Sequence, residues 1–318
     1  MTKSLPRVVL DCDPGHDDAM AILLAAASPA MDLAAITTVA GNQTLDRVTL
    51  NARRVCSVAG IDGVPIAAGC DRPMVREQLI ASAIHGASGL DGPDWAEPTV
   101  QADPRHAVDV ILELATVGLG PLTIVAVGPL TNVATALRRA PRIAHGIERI
   151  VLMGGAIGLG NWTPAAEFNI HADPEAAHVV FTSGLPITMI PLEVTHQALA
   201  TDAVLERIDQ LASPVSRMAA TLLRYFAGTY DRVFGFAAPA VHDPCAVAWL
   251  IDPTLVTTRP MHVAVDTRSV LSYGRTVCDV YGTTGRPPNA EVGVALDADR
   301  FWDLMIGALA SYRGPLGG

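Results

Sequence analysis

Basic charge is the first thing this chain is short of. Its 318 residues carry 22 Lys and Arg against 32 Asp and Glu, a formal net charge of −10 at pH 7. A nucleic-acid groove needs clustered cations to neutralise phosphates, so that partner class is excluded. Cysteine is scarce and unpatterned: Cys12, Cys56, Cys70, Cys245 and Cys278 are odd in number and show no CxxC spacing. Neither a disulfide framework nor a zinc site fits, and a reducing cytoplasm is the expected location. The N-terminal run MTKSLPRVVLDCD passes into strand-like sequence without the apolar core of a signal peptide. The apolar stretch 19–27 is too short to span a bilayer, so a soluble protein with no membrane partner is expected. Aromatic residues make up only 5% of the chain and charged residues 17%, whereas 50% is hydrophobic. Ala, Val and Leu dominate that half, which suits close packing of helices on a sheet.

What the sequence does contain is alternation. Residues 8–10 form a short all-apolar run ending at Asp11, the pattern of a buried parallel strand. Asp13-Pro14-Gly15 turns the chain into a buried helix over 16–27. A second strand over 33–40 precedes a helix capped by Thr44 and closed by Gly60, and 64–67 is a third strand. The stretch 69–103 is rich in Gly, Pro and Asp, and a loop of that length is usually functional or holds short elements. Asp103-Pro104 predicts a helix reaching about Thr116. Strands follow at 122–127, 149–153 and 187–190, with helices at 132–139 and after Asp173-Pro174. Beyond these, helices are predicted at 202–211, 214–230 and 243–250, with Asp243 as N-cap. Strands near 262–265 and 277–281 are expected to form a mixed sheet edge. The expectation is an α/β fold: a doubly wound, mostly parallel central sheet flanked by helices, with a more helical C-terminal part. One domain over residues 1–318 accommodates it.

In an open α/β sheet, ligands bind beyond the carboxyl ends of the strands, and the unusual polar residues fall there. Asp11, Asp13, Asp17 and Asp18 follow the first strand, Asn42 the second, and Thr131-Asn132 the strand ending at Val127-Gly128. Four carboxylates in the segment DCDPGHDD repel one another beside a buried strand, and a bound cation removes that penalty. Oxygen ligands suit Ca²⁺ or Mg²⁺, and Ca²⁺ tolerates an irregular sphere of carboxylates and a main-chain carbonyl. The plainer account, in which Asp17 and Asp18 merely favour a helix N-terminus, explains one or two of the four.

Together these segments resemble a known family. DCDPGHDDAMAILLA, VAGNQT, HGASGLDGP, VGPLTNVA, MGGA, AEFNIHADPEAA and HDPCA are similar, in order and across positions 8–250, to segments of the nucleoside hydrolases, the inosine–uridine-preferring N-ribohydrolases. The resemblance implies hydrolysis of the N-glycosidic bond of ribonucleosides, purine or pyrimidine, in salvage or catabolism. It implies one Ca²⁺ per subunit held by Asp13, Asp18, Asp243 and the main-chain carbonyl of Val127, with Asp13 also the general base. It places Asp17 and Asn42 on the lower ribose hydroxyls, Asn161, Glu167 and Asn169 on the remaining ones, and Met153 against the sugar. Asp11 is expected behind the ligands rather than among them. His242 matches the leaving-group acid, His85 a histidine lining the base pocket, and Tyr230 is the candidate contact from the aromatic stretch 225–236. His16, His171 and the other histidines read as surface or packing residues, and the Gly-rich loop GASGLDGP as a possible lid. Family members are commonly homodimers or homotetramers.

Two rival readings use the same residues. A haloacid dehalogenase-type phosphohydrolase also places Asp-x-Asp after its first strand, but it continues with Thr or Val where this chain has Gly15. A non-catalytic nucleoside-binding protein would keep the ribose contacts yet could lose Asp13 or a metal ligand, and here every matched position is intact.

Overall fold

The structure, a computed structural model, describes residues 5–116 and 120–312; the first four residues of the N-terminal run lie outside them. Strand and helix alternate from the start. β1 (Arg7–Cys12) leads to α1 (His16–Ala27), β2 (Asp32–Thr38) to α2 (Leu45–Ala59), and β3 (Ile66–Ala68) to the short α3 (Ser82–His85) and α4 (Ala107–Thr116). Next come β4 (Leu122–Ala126), α5 (Thr131–Arg139), β5 (Ile147–Met153), α6 (Phe168–Ala172), α7 (Pro174–Phe181) and β6 (Ile187–Ile190). The C-terminal part opens with α8 (Leu192–Thr195), α9 (Asp202–Asp209), α10 (Pro214–Phe234) and α11 (Pro244–Ile251). It closes with β7 (Val256–Met261), β8 (Val263–Val265), β9 (Thr276–Cys278), β10 (Ala290–Leu296) and α12 (Ala298–Ser311).

Eight strands form one sheet in the order β3-β2-β1-β4-β5-β6-β10-β7. Every neighbouring pair is parallel except β10 and β7. Side chains alternate along β1, which has apolar cover on both faces. Val8, Leu10 and Cys12 join the core with residues of α1, α11 and α12, while Val9 joins the core built with α4, α5 and α7. The fold is therefore the α/β sheet flanked by helices that the sequence predicts. Gly60 closes α2 with φ of 68°, a conformation that glycine adopts without steric cost.

The chain winds outward from β1 to β3 on one side and from β4 to β6 on the other, so the direction reverses between β1 and β4. That reversal opens a crevice at the carboxyl ends of the two strands. Asn132, at the start of α5, ties the crevice walls together. Its Nδ2 donates to Asp11 Oδ1 at 2.8 Å and to the Thr38 carbonyl at 3.0 Å, and its Oδ1 accepts the Cys70 N–H at 2.8 Å. Asp11 Oδ1 also accepts from the Thr37 hydroxyl at 2.6 Å. Burial nevertheless pushes the Asp11 carboxyl up to about 6.

Two expectations need correction. The strands over 263–265 and 276–278 pair only with each other, as a separate antiparallel ribbon, whereas the mixed edge is made by β10 and β7. β7 contains Pro260, which argues against a strand in sequence but is tolerated here because β7 is the outermost strand. The helix expected from Asp103-Pro104 starts at Ala107: Asp103 pairs with Ala67 beside β3, and its carboxylate accepts from the Arg105 N–H. Asp243 stands at the N-cap of α11 with helical φ and ψ and makes no side-chain cap bond.

Asn132→Ala should cost about 2–4 kcal/mol of unfolding free energy, because it leaves a buried carboxylate and a backbone N–H short of partners. Urea denaturation of the two proteins measures it. A loss below about 1 kcal/mol would mean that water replaces the amide.

Candidate active site

Four carboxylates meet where β1 ends. Asp13 lies just past the strand, and the turn through Pro14 and Gly15 starts α1 at His16. Asp17 and Asp18 thus occupy the first turn of α1, where unpaired helix N–H groups favour negative charge. Asp18 accepts the Asp13 N–H at 3.0 Å and the Gly15 N–H at 2.9 Å, folding the turn back on itself. Asp243 arrives from the head of α11 and shares a hydrogen bond with Asp18. Asp17 accepts the His242 N–H at 3.2 Å. Asn42, beyond β2, donates its backbone N–H to Asp13 Oδ2 at 2.6 Å and its amide to Asp18 at 3.2 Å.

One oxygen of each of Asp17, Asp18 and Asp243 lies within 4.8 Å of the others. Asp13 Oδ1 is buried without a hydrogen-bond partner. It faces Gly128, where an added Cβ would come within 2.5 Å of it. Burial raises the pKa of all four carboxyls, and mutual repulsion raises those of Asp13, Asp17 and Asp243 further, Asp17 to about 7. A buried, unpartnered carboxylate oxygen is costly, and several such groups together suit a cation. The donors are all oxygen, with neither Cys nor His among them, which fits a hard divalent ion such as Ca²⁺ or Mg²⁺. The cluster includes Asp17 alongside the expected Asp18 and Asp243. The Val127 carbonyl accepts the Asn169 amide at 2.8 Å.

A cavity of about 240 Å³ opens beside the cluster. Asp17, Asn42, His85, Val127, Met153, Asn161, Glu167, Asn169, Tyr230, His242 and Asp243 all line it, while Asp13 and Asp18 are buried alongside without lining it. Glu167 caps α6, accepting the N–H groups of Asn169, Ile170 and Gly155, and burial still pushes it up to about 7. Asn169 also donates to the Met153 carbonyl at 3.1 Å, and Asn161 accepts the Phe168 N–H at 2.9 Å. His85 ends α3 and packs on Gly15, where a Cβ would lie 2.5 Å from its Nδ1. Only glycine permits that approach. His242 is held between the Thr195 hydroxyl, 2.7 Å from Nδ1, and the Tyr230 hydroxyl at Nε2. Burial pulls His242 down to about 3, so its ring is neutral at rest.

Sequence reasoning missed the apolar wall of this cavity: Ile84, Trp162, Phe168, Phe226 and Val233. Phe226 lies in the aromatic stretch already singled out, so its signal was available. Thr195 had none, because only the tertiary fold brings α8 to His242. His171 turns away to the Tyr273 carbonyl, and His16 is fully buried behind His85. Asp91 cross-ties the Gly-rich loop by accepting from the N–H groups of Ala87 and Ser88. Among the described residues no helix is long and apolar enough to cross a membrane.

Comparison with known proteins points the same way. The family described as inosine-uridine preferring nucleoside hydrolase matches residues 8–303. The pyrimidine-specific ribonucleoside hydrolases RihB of Shigella sonnei (strain Ss046) and Escherichia coli (strain K12) are each 46% identical over 306 residues, covering 96% of this chain and 97% of theirs. Among solved structures, a purine-preferring ribonucleoside hydrolase from Gardnerella vaginalis superposes with a TM-score of 0.90 at 33% identity, covering 96% of this chain and 98% of that one.

The acidic cluster sets a pH dependence of stability. Carboxyls with raised folded pKa values hold protons that the unfolded chain has lost, so they stabilise at low pH and that stability drains as pH rises through their folded values. The buried histidines, which burial pulls down to about 4 at His16 and about 3 at His242, work in the opposite sense, but their contribution is complete once the unfolded imidazoles have lost their protons, above about 6.5. Chelator-treated protein should therefore lose stability as pH rises above 7, by up to about 1.4 kcal/mol per pH unit for each proton still held by the raised carboxyls. Calcium should flatten the slope. Thermal unfolding across that range, with and without the ion, decides; a flat chelated profile would show that the carboxyls are already ionised.

Proposed function

This chain belongs to the inosine-uridine preferring nucleoside hydrolase family, and we propose that it cleaves ribonucleosides with the help of one bound Ca²⁺ in the crevice between β1 and β4. It is a ribonucleoside hydrolase, an N-ribohydrolase that releases base and ribose. One observation carries the calcium reading: a buried carboxylate oxygen of Asp13, left without a partner, sits with three further aspartates beside the cavity.

Asp13, Asp18, Asp243 and the Val127 carbonyl would hold the ion, with Asp17 close enough to share in it. When bound, Ca²⁺ supplies positive charge that lowers the pKa of water and grips a vicinal diol. The chain's own residues do the rest. Asp13, whose Oδ1 has no hydrogen-bond partner, takes the proton from the attacking water. Asp17 and Asn42 orient the lower ribose hydroxyls; Asn161, Glu167 and Asn169 take the others, with Met153 against the ring. Breaking the bond leaves positive charge on the sugar, which surrounding carboxylates favour. A site built around every hydroxyl rejects a 2′-deoxyribonucleoside, because its absence leaves polar groups unpaired. The base lies against His85, Phe226 and Tyr230. The departing base takes up its proton by way of His242, which the hydroxyls of Thr195 and Tyr230 hold in place at its two ring nitrogens. Because His242 is neutral at rest, it serves as a relay rather than a standing acid.

Pyrimidine ribonucleosides are the favoured substrates on this reading, since the relatives at 46% identity carry that name and the purine-preferring structure stands at 33%. Purine ribonucleosides remain in reach. The biological role is salvage or catabolism in the cytoplasm, by one domain assembled as a dimer or tetramer.

A panel of ribonucleosides assayed for reducing sugar after chelation, then with calcium restored, tests the proposal; activity indifferent to both steps would overturn the metal reading. Asp13→Asn should lower kcat at least 1,000-fold, on the order expected when base and ligand are lost together. His242→Ala should slow inosine cleavage at least ten times more than that of p-nitrophenyl riboside, whose leaving group needs no proton. Equal losses would remove His242 from the relay.

A further inference from the structure

Beside the substrate cavity lies a second one, of about 410 Å³, which the reaction as described leaves unused. Asn161 and Tyr230 line both, so these two side chains stand at the junction. Beyond them the second cavity is walled by Leu159, Leu192 and Phe236, with Glu193 and His196. Leu192 is buried and Leu159 is 79% exposed, so the space has a closed floor and an open rim. No Lys or Arg lines it. Glu193 adds negative charge, and its two oxygens are already engaged by the N–H groups of Ile157 at 3.0 Å and Gly158 at 2.8 Å. His196 meets Phe236 and His242 edge-on, and burial pulls its pKa down, so its ring is mostly neutral at pH 7. The cavity therefore offers apolar contact and nothing to pair with an anion.

The junction residues indicate which part of a ribonucleoside faces this space. In the proposed complex Tyr230 lies against the base, and Asn161 takes a hydroxyl other than the lower pair. In a β-ribonucleoside the base and the 5′ carbon project from one face of the ring, and the 2′ and 3′ hydroxyls from the other. The 5′ oxygen thus points toward the gap between Tyr230 and Asn161. Asn161 Oδ1 is occupied by the Phe168 N–H at 2.9 Å, so the amide is left with its NH₂ for a ligand. Such a donor needs only a lone pair, and an ether oxygen supplies one as a hydroxyl does. We propose that the second cavity is a subsite for an uncharged apolar group carried on the 5′ oxygen, so that the enzyme also cleaves small 5′-O-alkyl ribonucleosides. This rests on the reading of the first cavity as a ribonucleoside site. It extends that reading from the sugar hydroxyls to what one of them can bear. A charged group in the same place would shed water without gaining a counterion.

The test is a chain-length series on the unaltered enzyme: uridine and its 5′-O-methyl, ethyl and propyl ethers, each assayed for release of the base. The methyl ether gives up the proton that the hydroxyl can donate to Glu167, so gains are read from it upward. Each added methylene should raise kcat/KM about fourfold, the scale of burying one CH₂. 5′-O-carboxymethyluridine, similar in length to the propyl ether but anionic, should fall at least tenfold below it. Leu159→Asp, at the exposed rim, should cut the gain per methylene to below twofold while uridine cleavage stays within twofold. A flat or falling series in an enzyme that cleaves uridine would sink the subsite. So would an unchanged slope in Leu159→Asp, which would put the alkyl chain elsewhere, or an anionic ether cleaved as well as the propyl one. If the Asp variant does not fold, the series and the anionic ether decide on the unaltered enzyme. Should uridine and inosine both stay intact, the ribonucleoside reading itself fails, and the subsite with it.

Discussion

Burying carboxylates is the constraint around which this protein is organised. Asp11, Asp13, Asp17, Asp18 and Asp243 are all nearly inaccessible, gathered at the carboxyl end of the central strand of a sheet covered on both faces. No apolar core would accumulate them for stability, because each must shed water and sit near like charge. Much of the surrounding structure serves to make that concentration bearable. The head of α1 lends its N–H groups, Asn42 donates twice, and Asn132 holds Asp11 from behind. Among the carboxylate oxygens of this group, one of Asp13 and one of Asp11 are left buried without a hydrogen-bond partner, and the first is the one on which the proposed cation site rests.

The sheet topology explains why the cluster can form. Reversal of winding between β1 and β4 leaves a gap at their carboxyl ends that no crossover connection fills. Into that gap come Val127 just after β4, Asn169 from α6, and Asp243 from the head of α11. Asp243 gives up the capping role that its position before Pro244 would suggest, and its carboxyl turns to Asp18 instead. A residue that forgoes a favourable local bond in this way does so where tertiary electrostatics outweigh helix capping.

The two sides of the cavity are built on different principles. The side that we propose takes the sugar is polar, and Glu167 and Asn169 there are held by backbone groups, which is what preorganisation requires. The side proposed for the base is a set of stacked rings from α1, α3 and α10, meeting at His85 and Phe226. Relatives named for pyrimidines and for purines share this fold, in keeping with such a division.

Much of this was legible in the residues themselves. Apolar runs ended by Asp, Asn and Gly gave the parallel strands and the polar end of the sheet, because a strand buried on both faces admits few other sequences. The crowding of DCDPGHDD foretold the buried acidic cluster, since like charges so close in sequence stay close in space. The late strands were misplaced because Pro260 obscures β7, and an edge strand obeys weaker rules than a central one. Nothing local could reveal that Thr195 would meet His242, that Asp17 would join Asp243, or that His16 would stack on His85. Sequence determined which groups the chain possesses and the strand ends that carry them. Only the folded structure decided their partners, because a hydrogen bond depends on the distance between atoms that the chain brings together from far apart.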